Sequence, residues 1–61
     1  MRIYVKQGLY KKIKITDCSF ELLSPIYMES GKMYARVNAS QLLGKDYSDI
    51  KIEIYSYKVI E

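Results

Sequence analysis

The sequence lacks histidine and contains a single cysteine, Cys18. A structural zinc site draws three or four ligands from Cys, His and carboxylates, so this composition argues against one. One thiol cannot form a disulfide within the chain, and neither a Ser-His nor a Cys-His nucleophilic pair can be assembled. We therefore expect no metal site, and we expect Cys18 to be a small buried or half-buried side chain.

Long apolar segments are also missing. No run approaches the roughly 18 apolar residues that a membrane span requires. Residues 1–6 carry charge with no long apolar stretch behind it, so they do not have the pattern of a secretory signal. These absences predict a cytoplasmic protein that does not enter a membrane.

Glycine is scarce and dispersed. Gly8, Gly31 and Gly44 stand alone, so the sequence has no glycine-rich phosphate-binding loop. The acidic residues are scattered, and a chain of this length has little material with which to enclose a substrate pocket. We therefore predict that the protein is not an enzyme, has no catalytic residues and needs no cofactor.

The length limits the protein to one domain, residues 1–61. A domain of about 60 residues buries only about 60% of the surface that its unfolded chain exposes, so its stability is small unless it associates with itself or with a partner. Apolar residues nevertheless make up 49% of the sequence, which is more than a disordered segment contains. We predict a folded domain that would gain stability from association.

Alternation of apolar and polar residues is the dominant pattern. It occurs in four segments, residues 2–6, 12–16, 33–38 and 50–55. Such alternation is typical of strands with one dry and one solvated face, and the many β-branched and aromatic residues favour the same structure. The predicted fold is mostly β, a small curled antiparallel sheet or open barrel of four to five strands.

Turn-forming residues separate the first strands. Gln7-Gly8 is predicted to close a hairpin between residues 1–6 and 9–16. Residues 17–19 are predicted to end the second strand.

Later turns are predicted on the same grounds. Residues 29–32 form a turn, because Gly31 can adopt a positive φ at no steric cost. One short helical turn is predicted at residues 39–43, and Gly44 is expected to end it. The last strand is predicted at roughly residues 50–60.

Charge is distributed unevenly along the chain. Residues 1–16 contain five basic residues and no acidic residue, whereas residues 17–61 contain five basic and seven acidic residues. The net charge of +3 therefore divides into +5 for the first segment and −2 for the rest. A basic segment of this kind favours an acidic partner surface, and nucleic acid is the commonest candidate. A small positive net charge also serves solubility alone, and that explanation stays open.

Tyrosine and basic residues interleave on the face opposite the predicted core. The positions expected to point inward are Ile3, Val5, Ile13, Ile15, Met33, Ala35 and Val37. The predicted nucleic-acid-binding residues are Tyr4, Lys6, Tyr10, Lys11, Lys12, Lys14, Tyr34 and Arg36, and all of them except Lys11 are expected on the other face. In nucleic-acid-binding sheets, rings stack on bases and cations contact phosphates. We therefore predict that the three tyrosines stack on bases and that the five cations contact the backbone.

Two other interpretations of this face stay open. Tyrosine is a favoured strand residue whose ring shields the open face of a thin sheet, and lysine protects edge strands from aggregation. The face would then have no ligand. Tyrosine and arginine are also enriched at binding hot spots between proteins, so the same face would suit a protein partner.

The last predicted strand has a less basic and more apolar outer face, on which Tyr55, Tyr57 and Val59 alternate. Such a face suits a dimer contact, or the addition of a partner strand, better than it suits a phosphate backbone. We predict that these three residues form a protein interface, with a homodimer as one form of it. As the alternative, Tyr55 and Val59 complete a second small cluster in the core.

Overall fold

The computed structural model of the protein describes residues 1–60. Its five strands are β1 (Arg2–Tyr10), β2 (Ile13–Leu22), β3 (Tyr27–Glu29), β4 (Lys32–Asn38) and β5 (Ile50–Val59). A four-residue helix, α1 (Ser40–Leu43), and one 3-10 turn at Lys45–Tyr47 connect β4 to β5. The predicted mostly-β fold with one short helical turn is confirmed, and the number of strands is five.

The five strands form one antiparallel sheet in the order β2-β1-β5-β4-β3. The sheet curls until its sides meet, because the end of β2 also pairs with β4 through Glu21 and Leu22. The closure is partial. Pairing between β4 and β5 ends at Glu53, so among the described residues the second half of β5 has a strand partner only on its β1 side.

The core lies on the inner face of this curled sheet. The buried side chains are Ile3, Val5, Ile15, Phe20, Ala35, Val37, Ala39, Ile50, Ile52 and Ile54. Most of the inward positions predicted from the alternation are among them, and Met33 and the half-buried Cys18 pack against them. Ile13 was expected inside but is 42% exposed, because it lies beside the β1–β2 turn, beyond the end of the core.

The alternation of inward and outward side chains is interrupted in the middle of β1, β2 and β5, and we call each interruption a slip. Val5 and Gly8 both face the core although they are three residues apart, and the two residues between them are exposed. In β2 the same slip falls between Ile15 and Cys18, where Asp17 has a φ of 53°. In β5 it falls between Ile54, which pairs with Gly8, and Tyr57, which pairs with Val5. These irregularities bend the three strands along one line across the sheet.

Gly8 occupies this bend because two strands approach each other closely there. A Cβ atom at this position would lie 2.8 Å from the backbone oxygen of Glu53 and 3.1 Å from Cγ1 of Val5. Only glycine fits without displacing the backbone of β5. Gly8 therefore lies within β1 and permits the bend; it does not form a turn.

The predicted turn at Gln7-Gly8 is accordingly wrong. Tyr10 pairs with Ile13, so the β1–β2 hairpin closes at Lys11 and Lys12, and Lys11 adopts a φ of 54°. The predicted end of the second strand at residues 17–19 is wrong for a related reason. Asp17 bends β2 locally, but the strand continues to Leu22 because pairing with β1 resumes at Cys18.

The other predicted turns are confirmed. β3 and β4 are joined by Ser30 and Gly31, whose φ angles of 54° and 77° match the two-residue turn that suits a hairpin twist. The helical turn lies within the predicted range, and Gly44 follows it with a φ of 118°. Within residues 1–60, no helix is long and apolar enough to cross a bilayer.

Candidate nucleic-acid interface

Four of the predicted cations, Lys6, Lys11, Lys12 and Lys14, lie on the β1–β2 hairpin, and we call them the basic hairpin. Lys11 and Lys12 form the turn, Lys14 follows on the outer face of β2, and Lys6 lies on the bend of β1. All four side chains are exposed. The described residues form two ion pairs, and neither includes a residue of the basic hairpin.

The two ion pairs lie farther along the sheet and engage Arg36 and Lys51. The guanidinium of Arg36 donates to both carboxylate oxygens of Asp49, at 3.0 and 3.2 Å. The ammonium of Lys51 donates to Glu29 at 2.6 Å, and this hydrogen bond raises the pKa of Lys51 above its ordinary value. Arg36 therefore lies on the outer face as predicted, but with its charge already paired.

Tyr34 also lies on the outer face, and two neighbouring side chains contact its ring. The Lys51 ammonium is 4.5 Å from the ring centroid, and the tilted ring of Tyr27 is 6.2 Å away. Cross-strand pairing links Lys14 to Tyr34 through Leu9 and Glu53. Three strand spacings therefore separate Lys14 from Tyr34, which is about 14 Å along the sheet. The predicted site is divided between two regions.

Tyr10 was expected on the outer face, and this orientation is wrong. The slip in β1 turns its side chain toward the core, where it is half-buried. Its ring meets that of Tyr47 edge to face, with centroids 6.2 Å apart and planes at 86°. Tyr10 therefore closes one end of the core, and the neighbouring Lys11 ammonium lies 5.4 Å from its ring centroid.

Tyr4 lies on the outer face of β1, and its hydroxyl donates a hydrogen bond of 2.8 Å to Asp17. This hydrogen bond, with a smaller contribution from burial, raises the pKa of the Tyr4 phenol, because the adjacent carboxylate disfavours the phenolate. The stability that this hydrogen bond contributes to the folded state is fully present below the pKa of an unfolded tyrosine, about 10. It is lost as the pH rises through the raised pKa of the folded state.

We expect Asp17→Asn to return the pKa of Tyr4 toward its ordinary value. Asparagine tolerates the positive φ at this position, so the substitution removes the charge with little backbone strain. The pKa can be measured from the tyrosine Cζ resonances in an NMR pH titration. Glu21→Gln removes an acid from the same strand and should leave Tyr4 unchanged. A Tyr4 pKa that stays raised in Asp17→Asn would show that the carboxylate is not the cause.

The structure places Tyr55 beside the basic hairpin, whereas the sequence pattern assigned this residue to a protein interface. Tyr55 and Lys14 line an open groove of about 350 Å³ on the outer face, at the bend. We call it the outer groove, and its lining residues are Gln7, Gly8, Leu9, Lys14, Ile15, Thr16 and Tyr55. The sequence pattern did not predict that Tyr55 lies close to Lys14, because the slip in each strand decides which side chains share a face.

The three residues predicted to form a protein interface are divided by the same slip. Tyr55 is 54% exposed and faces the outer groove. Tyr57 and Val59 pair with the inward-facing Val5 and Ile3, so they lie on the opposite side of β5. They are nevertheless 37% and 50% exposed, because β4 does not extend beside this half of β5. The alternative that Tyr55 and Val59 join the core does not agree with these exposures.

The fold defines a small all-β protein built on one curled antiparallel sheet. No protein-family model, no curated protein and no solved structure matches it.

Proposed function

We propose that this protein is a non-catalytic module that binds nucleic acid through the basic hairpin. The supporting observation is the local excess of unpaired positive charge. The four lysines of the basic hairpin are exposed and form no ion pair with another described residue. Arg36 and Lys51, farther along the sheet, each form an ion pair with a carboxylate. Exposed cations of this kind contact phosphates and release condensed counterions when they bind.

The proposed surface is smaller than the one predicted from the sequence. Tyr10 packs inward, and Tyr34 and Arg36 are engaged by their neighbours on β5 and in the preceding loop. Tyr4 is held by Asp17. These four residues therefore lie outside the proposed contact, which depends on the basic hairpin.

The direct test is fluorescence anisotropy of labelled single-stranded DNA, single-stranded RNA and duplex DNA, titrated with protein at two salt concentrations. Four phosphate contacts to a single strand give a slope of about −2.8 in a plot of log K against log salt. That slope corresponds to about a 50-fold loss of affinity between about 50 and 200 mM salt. No binding at low salt would remove the proposal.

A second candidate function is supported by a separate observation, the free edge of β5. Beyond Glu53 this strand has no partner on one side among the described residues, and Tyr57, Val59 and Ile60 remain partly exposed there. Unpaired strand edges with apolar side chains are suited to pairing with another strand. We therefore also propose a homodimer in which this edge contacts a second copy of the chain.

The homodimer predicts association that Val59→Lys weakens, since a charge would enter the buried contact. Sedimentation velocity over a range of protein concentrations measures it. Met28→Lys, a substitution at an exposed apolar position on β3, is the matched control and should associate like the parent protein. A parent protein that sediments only as a monomer would exclude this candidate.

A further inference from the structure

We propose that the outer groove receives a single unstacked nucleobase on the ring of Tyr55, so that the protein prefers single-stranded nucleic acid to duplex. This inference rests on the proposed function, because the basic hairpin supplies the attraction to phosphate.

The ring of Tyr55 is free to stack. Tyr55 is 54% exposed. Within residues 1–60, aromatic or cation contacts occupy the rings of Tyr10, Tyr27, Tyr34 and Tyr47, but none occupies the ring of Tyr55. Tyr55 therefore offers a free ring face beside the basic hairpin, lining the outer groove, that can accept a base.

The groove has the chemistry that a nucleobase requires. Its volume of about 350 Å³ lies at the small end of the range for ligand pockets, about 300–1,000 Å³. Leu9 supplies an apolar surface for the base, while the amide of Gln7 and the hydroxyl of Thr16 can meet the polar edge. Neither of these polar side chains hydrogen-bonds to another described residue.

The position of the cations fits a strand that passes along the groove. Lys14 lines the groove itself, and Lys12 lies two residues away in the β1–β2 turn. A backbone that follows β2 toward the turn would therefore place phosphates near both ammonium groups while one base enters the groove.

Duplex nucleic acid does not offer a base in this way. Its bases are stacked on both faces, and a base must leave the stack before a ring or a recessed pocket can contact its face. Stacking on an exposed ring is tolerant of sequence, because every base has a π-face. The groove therefore distinguishes single strands from duplexes without strong selection among bases.

The test measures binding of a labelled oligothymidylate and of a labelled DNA duplex to the parent protein, Tyr55→Leu and Tyr55→Phe at low salt. Tyr55→Leu keeps the apolar bulk but removes the ring, so affinity for the single strand should fall about 5- to 150-fold. Its affinity for the duplex and its salt slope should stay unchanged, because the basic hairpin is intact. Tyr55→Phe should bind like the parent protein.

Tyr57→Leu is the matched control, since it makes the same change on the opposite side of β5 and should not alter binding. Equal affinity of the parent protein for both probes, or a single-strand affinity that Tyr55→Leu does not lower, would overturn this inference and leave the proposed function intact. A parent protein that binds neither probe would overturn both. Amide chemical shifts of Leu9 and Thr16 that respond to a peptide but not to oligothymidylate would identify a protein ligand instead.

Discussion

Phe20→Ala should leave the protein largely unfolded at 25 °C. Phe20 is 2% exposed and is the only phenylalanine in the sequence, and it lies opposite Ile3 in the pairing of β1 with β2. Replacing a buried phenylalanine with alanine typically costs about 3–5 kcal/mol. A hydrophobic core in a chain below about 70–80 residues rarely contributes more than about 3–5 kcal/mol in total. The expected cost therefore equals the whole free energy of unfolding.

Far-ultraviolet circular dichroism and a urea titration measure this effect. Met28→Ala is the matched control, because Met28 is 67% exposed, and it should unfold at the same urea concentration as the parent protein. Phe20→Leu should retain the fold with a smaller loss, since an apolar substitution of similar volume usually costs less than about 1.5 kcal/mol. A native spectrum with an unchanged midpoint for Phe20→Ala would show that the core does not depend on this ring.

The double substitution of Lys12→Glu with Lys14→Glu should remove most of the affinity for nucleic acid. It replaces two of the four cations of the basic hairpin with anions, and both positions are exposed, so the fold should persist. Two of four phosphate contacts are lost, so the salt slope for a single strand should fall by about half, from about −2.8 to about −1.4. We expect at least about a tenfold loss of affinity at low salt from the same substitutions.

The matched control places the same change in charge elsewhere. Lys32→Glu with Lys58→Glu alters two exposed lysines, one at the β3–β4 turn and one beside Tyr4 near the far end of β1. If net charge alone governs binding, both double variants will lose affinity equally. If the basic hairpin is the binding surface, the control will retain most of its affinity. An unchanged affinity and slope for Lys12→Glu with Lys14→Glu would remove the proposed function.

The strand content was predictable because alternation is a local property. The two runs 33–38 and 50–55 have unbroken alternation. The structure turns their apolar positions inward accordingly, with Met33 half-buried and the others buried. The turn at Ser30-Gly31 and the helix that Gly44 follows were also predictable, since each depends on the backbone preferences of adjacent residues. Where the physical cause of a strand, turn or helix lies within a few residues, the sequence pattern was sufficient to predict that element.

The β1–β2 hairpin was not predictable on the same terms. Glycine favours turns, and this preference predicts a turn at Gly8. In the structure, Gly8 instead lies where β1 approaches the backbone of β5 at Glu53. These two residues are far apart in the sequence, and no local pattern records that they meet. The true turn carries no glycine, and Lys11 itself adopts the positive φ.

The sequence by itself therefore determined that the protein is a small β-sheet domain with its positive charge concentrated near the first hairpin. The tertiary structure decided which side chains share a face. The bend across β1, β2 and β5 turned Tyr10 into the core, placed Tyr55 beside Lys14, and separated Tyr55 from Tyr57. The physical reason is that a slip of one residue in a strand reverses the face of every side chain beyond it, and close packing between distant segments, not local propensity, sets where that slip occurs.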